Sequence, residues 1–539
     1  MGIVGEGMII KDYDIWYTYS QYFLNEEIDL EKMAKTLVKL EIADLVVSSS
    51  DIAYWIFDEE LCVEKVGVKY PKSNFMTFSK PPNMNQLQAE FYEQAYKFEF
   101  HQRHLFTEML NVKNRYIRAF LGKIHLKNED MVVTLYPQVK IYENGVVLLS
   151  LRKFCGNDDI PVGDFINNYV NLFTERFQEL WMSSGIVLAR ELSVLSYEKL
   201  SNKEKKRAYN AIKDGVCELT QVVEDEEQGF SFKLCNVPTK GTLNLGLVTD
   251  TIFEAIEYSA NVKIEQPLRV ERFYELGTYW RGMPFIYLLD YENQPHSTND
   301  LIDEHYYMFS QILNRVSKIN QCNIDNLKED NDYRSFDDYK LFINEAVVLW
   351  AIAGKSLVSN IKYVDANRGH LIYDKQVQSE MLLYVYALYH KLFIKSYKEN
   401  YTTEQVIQYQ MKISEMYRDF KYEASHYGEI KSLLNALSKF GVDDLKESID
   451  NNLKLKKELD TLISNKNNTI FSRVLSILFG VLGASSISTN VVLPIWKMLD
   501  IKILNSAEGQ KIESYLFTVI FLIVIIFIGR KVFLKKDSN

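Results

Sequence analysis

The sequence predicts an α+β cytoplasmic domain, then a helical region and stalk, then two C-terminal transmembrane helices. Three observations predict it. Strand-like and helix-like stretches mix before Pro295 without a strict βαβ period. From His296 to Leu493 there is no proline, as a long helical region requires. Two apolar runs close the chain. With 539 residues, the chain has room for about two to four domains.

The mixed domain is assigned to residues 1–295. Its helices are read from DLEKMAKTLVKLEIADLV, QLQAEFYEQAYKFEFHQRHLFTEML and FINNYVNLFTERFQELW. Its clearest strands flank Glu143-Asn144-Gly145 in VKIYENGVVLLSLRKF, a hairpin signal. GFSFKLCNV and PFIYLLDY also read as strands. The helical region is assigned to residues 296–441. There, FDDYKLFINEAVVLWAIAGKSLVSNI and KQVQSEMLLYVYALYHKLFIKSY show helical apolar spacing.

Gly441 ends that region, and a stalk helix is expected over residues 442–469. Asp443 and Asp444 sit in its first turn, where acids complement the helix dipole. Val442, Leu445, Ile449 and Leu453 share one face. Run unbroken to Leu493, this helix would be about 75 Å long.

The first expected span is residues 470–496, containing 23 uncharged residues from Val474 to Trp496. An outer loop follows at 497–511, a second span at 512–534 and a basic tail at 535–539. A span needs about 20 residues. The second run, Tyr515 to Gly529, reaches that length once Arg530 and Lys531 snorkel. Basic residues precede the first span and follow the second, which predicts cytoplasmic termini and a multi-pass protein of the inner (plasma) membrane.

The first run carries Ser472, Ser476, Gly480, Gly483, Ser486 and Asn490 on one helical face, with Phe479 and Ile487 beside them. Small and hydroxyl groups at this spacing serve close helix packing. In a ring of subunits the same face would line a pore. The second run, FTVIFLIVIIFIG, is apolar nearly all round and reads as an outer helix, which favours the pore.

Composition narrows the chemistry. The net charge of −10 gives no basic footprint, so nucleic acid is not an expected partner. Five cysteines, none in a CxxC pair, argue against a disulfide framework and suit a reducing compartment. The N-terminus shows no signal peptide pattern, and Glu6 stands where myristoylation wants Ser or Thr.

In layout, roughly Tyr401 to Asn539 resembles the CorA-like divalent-cation channels and transporters. The resemblance implies a homo-pentamer in the lipid bilayer, with the first span lining the path and the second packed outside. The family's Gly-Met-Asn signature is missing: the matching end reads SISTNVVLPIW, so Mg²⁺ selectivity is not carried over. The enlarged N-terminal part looks like a branch associated with type III CRISPR systems. That branch implies gating by a nucleotide second messenger, such as S-adenosylmethionine joined to AMP, in antiviral defence.

Other motifs weigh less. AIAGKS ends like a Walker A loop, but its first glycine would fall at Leu349 inside a helical pattern. HQRH, His101 to His104, offers two imidazoles where a metal needs three or four ligands. Four acids, Glu224 to Glu227, read as a solvated loop before they read as a divalent-cation sensor, the one cofactor left open. Arg269, Arg272 and Arg281 with Tyr279 and Trp280 combine guanidinium and aromatic groups, as a nucleotide pocket would; core or interface packing is the plainer reading. No nucleophile elbow, HExxH or dinucleotide loop is present, so no enzyme is expected. The expectation is a ligand-gated channel of CorA-like build. The rivals are a divalent metal-ion transporter, a membrane-anchored enzyme and a tethered binding scaffold.

Overall fold

The computed structural model describes residues 8–24, 27–50, 52–65, 115–129, 131–153, 159–225, 230–237, 243–263, 266–270, 276, 281–295, 297–319, 327, 339–353, 376, 380–398, 401–423, 435–499 and 506–534. They separate into two compact units, Met1–Ile449 and Asp450–Asn539.

Among the described residues, the first unit is organised by a fifteen-stranded sheet. Its centre is β1 (Ile9–Tyr22), and its N-terminal strands continue with β2 (Ala43–Ser48), β3 (Ile52–Phe57) and β4 (Glu60–Lys65). Next come β5 (Tyr116–Leu121), β6 (Ile124–Lys127), β7 (Val132–Tyr142), β8 (Val146–Lys153), β9 (Ile160–Pro161) and β10 (Glu179–Ser183). The later strands are β11 (Thr220–Asp225), β12 (Phe230–Asn236), β15 (Arg281–Tyr291), β16 (Tyr339–Ile343) and β17 (Val348–Ile352). A separate pair is β13 (Val262–Lys263) with β14 (Gln266–Val270). The main path runs β11-β12-β10-β6-β7-β8-β1-β15-β17-β16, and β2, β3 and β4 branch off through β5. β15 and β17 are parallel; β1 is antiparallel to both β8 and β15.

Alternation along β1 sorts the two faces. Tyr13, Ile15, Tyr17 and Tyr19 enter the main hydrophobic core. That core is covered by α1 (Leu30–Lys39), α2 (Val162–Phe165), α3 (Ser184–Tyr197), α5 (Leu245–Asn261) and α6 (Thr298–Asn314); α4 (Asn202–Glu218) packs on α3. The helix starts are fixed locally. Asp29 accepts from the Lys32 amide at 3.0 Å, Asn244 from Leu247 at 3.0 Å, and Ser201 with Glu204 forms a capping box. Asp14, Trp16, Thr18, Ser20 and Tyr22 alternate onto the other face, where α7 (residues 380–397) lies.

The hairpin expected at Glu143-Asn144-Gly145 is the β7–β8 turn. Gly145 has φ +87, which a side chain would strain, and Asn144 Oδ1 accepts from the Val146 amide at 3.2 Å. FINNYVNLFTERFQELW, expected to be one helix, divides into a π-helical turn at Ile166–Val170, a 3₁₀ turn at Leu172–Thr174 and β10. The helix expected over QLQAEFYEQAYKFEF lies outside the described residues.

Three expectations are corrected. The region 296–441 is not purely helical: DYKLFINEAVVLWAI forms β16 and β17, joined to the sheet through β15. Both strands are almost wholly buried, and a strand buried on both faces reads as a continuous apolar run that periodicity does not separate from a helix. The α+β domain with a helical appendage is thus a mixed α/β unit whose sheet extends past residue 350.

The second correction concerns the two transmembrane helices. Among the described residues, no helix is long and apolar enough to cross a membrane. The stalk and first run form one helix, α9 (Val442–Ile487). Its apolar part is interleaved with Ser472, Ser476, Ser485 and Ser486 and passes into a π-helical turn at Ser488–Val492 before α10 (Leu493–Met498). The last helix, α11 (Ala507–Leu534), opens on Glu508, Lys511 and Glu513. The third correction follows from the second: the multi-pass membrane localisation and the membrane-spanning pore are not carried forward. α8 (Thr403–Glu423) completes the described helices of the first unit.

Candidate functional site

Two features meet on the α7 face of the sheet. The first is a row of buried polar side chains running across five neighbouring strands. Arg118 on β5 donates to Gln138 Oε1 on β7 at 2.9 Å and to Glu380 Oε2 on α7 at 2.9 Å. Ser150 on β8 donates to Glu380 Oε1 at 3.2 Å and lies 3.2 Å from the Thr18 hydroxyl on β1. Gln376 donates to Thr18 Oγ1 at 3.0 Å and accepts from the Tyr287 hydroxyl on β15 at 3.1 Å. Gln138, Ser150 and Thr18 are directly opposed in register, which is why three non-adjacent sequence segments form one line.

A second ion pair lies alongside. Arg152 Nη2 meets Asp14 Oδ2 at 2.7 Å, with the guanidinium 5.0 Å from the Trp16 ring centre. All four charged groups are buried. Charge burial of this kind holds only when paired and hydrogen-bonded, so the row specifies where α7 sits.

The row fastens one end of α7, and the β7–β8 turn fastens the middle. Asn144 Nδ2 donates to the Tyr384 hydroxyl at 2.8 Å, and Lys391 Nζ donates to the Asn144 carbonyl at 2.8 Å. His390 Nδ1 sits 2.8 Å from the Tyr22 hydroxyl, and burial pushes this imidazole down to about 4.

The second feature is a cavity of about 370 Å³ where α7 meets the root of α9. Its walls are Tyr386 and Phe393 from α7, Glu345 from the β16–β17 turn, and Phe440, Gly441, Asp444, Leu445 and Ser448. Gly441 has φ +75, which turns the chain from the 3₁₀ segment Ala436–Ser438 into α9. Phe440 is fully buried, while Glu345 and Asp444 are exposed at the cavity rim. The volume falls in the range of small-molecule pockets, which combine apolar walls with a few placed polar groups. Phe393 is half-buried, Tyr386 is buried with its ring stacked on His390, and the two rim carboxylates disfavour a phosphate.

The residues singled out from sequence fall elsewhere. On α9 and the π turn, Ser472, Ser476, Phe479, Gly480, Ser486, Ile487 and Asn490 are exposed and Gly483 is half-buried. The last helix packs on a different side, through Ala484 and Ser488: the Ser488 and Ser514 hydroxyls are 2.6 Å apart, and Trp496 meets Phe517 at 5.5 Å. Of the arginine-aromatic cluster, Arg269 is exposed on β14 and Arg281 starts β15 opposite Ser20. Arg272, Tyr279 and Trp280 lie outside the described residues, as do His101 to His104. Of the acidic run, Glu224 and Asp225 end β11. Among the described residues, no three His, Cys, Asp or Glu side chains gather as a metal site needs.

Sequence reasoning missed both the row and the cavity. The usable signal was faint: Asp14, Thr18, Gln138, Ser150 and Arg152 are polar positions inside otherwise apolar strands. Comparison with family models, with curated proteins and with solved structures finds no match to this chain.

Proposed function

We propose that this chain is a ligand-responsive binding protein that works as a homo-oligomer, with the cavity at the root of α9 as its sensing site. The observation that carries the reading is the make-up of the cavity wall. Phe440 to Ser448 contribute five of its eight lining residues, so a molecule filling it bears on the first turns of a 46-residue helix. The opposite wall belongs to α7, which the buried polar row holds to the sheet. A ligand there bridges a fixed element and the start of a long one. It shifts the helix only as far as it prefers one arrangement over the other.

The carboxylates at the rim bear on the ligand. The nucleotide messenger implied by the family resemblance would bring phosphates against Glu345 and Asp444, so this cavity favours other chemistry. Assembly is supported by the exposed face of α9, where Phe479 is 67% and Ile487 42% exposed beside the small residues.

The test is a thermal-shift screen of the full chain against amines, nucleotides and neutral metabolites, followed by hydrogen exchange. A compound that stabilises the wild type should slow backbone exchange over residues 442–453. Ser448→Phe, which fills the cavity, should abolish both effects. Stabilisation that survives Ser448→Phe, or leaves exchange at 442–453 unchanged, refutes the reading. Light scattering that returns a monomer refutes the oligomer.

A further inference from the structure

Helix α4 carries a basic stripe on its outward side. Lys203, Lys206, Arg207, Asn210 and Lys213 are all exposed, and at about 100° per residue they fall within about 120° of one another. The opposite side of the helix, Ala208, Tyr209, Ile212 and Val216, packs into the core. Among the described residues, none of the four cations forms an ion pair. Glu204 stands three residues from Arg207, but its Oε2 accepts from the Ser201 amide at 2.9 Å and the Ser201 hydroxyl at 2.6 Å, which closes the capping box. Asp214 borders the stripe at its far end.

The helix holds these charges against its own electrostatics. Lys203, Lys206 and Arg207 lie towards its N-terminal end, where the dipole favours acids. Lys203 also meets Lys206 and Arg207 at the i,i+3 and i,i+4 spacings, where like charges repel. The whole chain carries a net charge of −10. Charges beyond about 10 Å are screened at about 0.1 M salt, however, so an anion beside α4 feels the stripe first.

The make-up of the stripe selects among anions. The apolar side of α4 is already packed, so no apolar face of this helix remains to enter a lipid surface. Between Lys203 and Lys213 the helix exposes no large apolar or aromatic anchor of the kind that carries protein interfaces. What remains is charge at regular spacing. From Lys203 to Lys213 the stripe is about 15 Å long, over which one strand of a duplex places about four phosphates. We propose that α4 docks on the phosphate backbone of a nucleic-acid duplex through Lys203, Lys206, Arg207 and Lys213, without preference for base sequence. This goes beyond the sensing role, since none of these residues lines the cavity.

The test is fluorescence anisotropy of the full chain with a labelled DNA duplex, titrated at rising salt. Four phosphate contacts give a log–log salt slope of about −3.6, so affinity should fall about a hundredfold between about 50 and 200 mM salt. Duplexes of unrelated sequence should bind alike. Lys206→Gln with Arg207→Gln should bring the slope to about −1.8 and weaken binding at low salt by at least about tenfold. Lys206→Arg with Arg207→Lys should preserve both. Lys39→Gln with Lys412→Gln removes the same charge from exposed positions on α1 and α8 and should leave binding unchanged. Thermal melts of the stripe variant should not fall, because its substitutions relieve repulsion within the helix.

Lack of duplex binding at the lowest salt overturns the proposal. So does an affinity loss as large in the Lys39 and Lys412 variant as in the stripe variant, and so does a salt slope that the stripe substitutions leave unchanged. Tighter binding to phosphatidylserine vesicles or to poly-glutamate than to the duplex also overturns it, and assigns the stripe to a lipid surface or an acidic protein instead. Each result is separable from the functional reading, whose hydrogen-exchange response at 442–453 stands or falls without the stripe.

Discussion

Arg118 and Glu380, 262 positions apart in sequence, form a buried ion pair at 2.9 Å between an inner strand and the helix that covers it. Both side chains are at most 2% exposed. Removing one partner leaves the other charged and buried, which costs about 3–5 kcal/mol; replacing both with apolar residues is far milder. Glu380→Ala is therefore expected to lower the unfolding free energy by about that much, and Arg118→Met with Glu380→Leu to recover most of it. Urea denaturation of the three proteins decides this. Equal losses for the single and double variants would mean the pair holds nothing in place.

Two glycines predict opposite outcomes. A Cβ on Gly185 would sit 2.3 Å from the carbonyl oxygens of Leu40 and Glu41, both of them backbone. The start of α3 must move to admit it, so Gly185→Ala should destabilise by about 1–3 kcal/mol. Gly215, inside α4, has open space where a Cβ would go. Gly215→Ala should stabilise by about 0.5–1 kcal/mol by restricting the unfolded chain. Thermal melts should move down for the first and up for the second.

His390 and Asp44 act on the pH profile with opposite slopes over nearly the same window, so they offset each other. Burial holds His390 at about 4 in the folded chain, against about 6.5 unfolded. Its folded pKa is depressed, so its contribution is full above about pH 6.5 and is lost as pH falls towards 4. Burial, and then the Glu41 charge, push Asp44 up to about 7, against about 3.9 unfolded. Its folded pKa is raised, so its contribution is full below about pH 3.9 and is lost as pH rises through 7. Urea midpoints measured from pH 4 to 8 should change little in the wild type between about pH 4 and 6.5, fall with rising pH there in His390→Gln, and rise with rising pH there in Asp44→Asn. Unchanged slopes in both variants would contradict the assignment.

In the second unit, the Ser488 and Ser514 hydroxyls are 2.6 Å apart and buried. Ser514→Val leaves Ser488 without that partner and should cost about 1–3 kcal/mol locally. Ser488→Ala with Ser514→Ala should cost less. Hydrogen exchange over residues 484–492 reports the difference, and faster exchange in the double than in the single variant would contradict it.

The parts of this molecule that sequence made legible are those settled within a few residues. Glu143-Asn144-Gly145 announces a turn because Gly145 takes a positive φ that other residues resist. Leu382 to Leu392 announces a helix because its segment shows helical apolar spacing. Phe342 and Val348 to Ile352 misled because, on strands buried on both faces, periodicity vanishes. The apolar run after Arg473 suggested a span from hydropathy alone, which says nothing of what packs on Ala484 and Ser488. The cavity could not be foreseen: Glu345, Tyr386 and Asp444 come together only through the β16–β17 turn and the bend at Gly441.

The place of β1 carries a consequence for how this chain is made. Ile9–Tyr22 is made well before its partners: its neighbour β15 is complete only at Tyr291, and α7 only at residue 397. Until then Asp14, Trp16 and Thr18 have nothing to close over them. Pairings between segments this distant in sequence form slowly, because ordering the intervening chain must come first. A nascent chain stopped short of α7 should thus remain a client for chaperones, and fragments ending before residue 380 should aggregate more than the full chain under the same conditions.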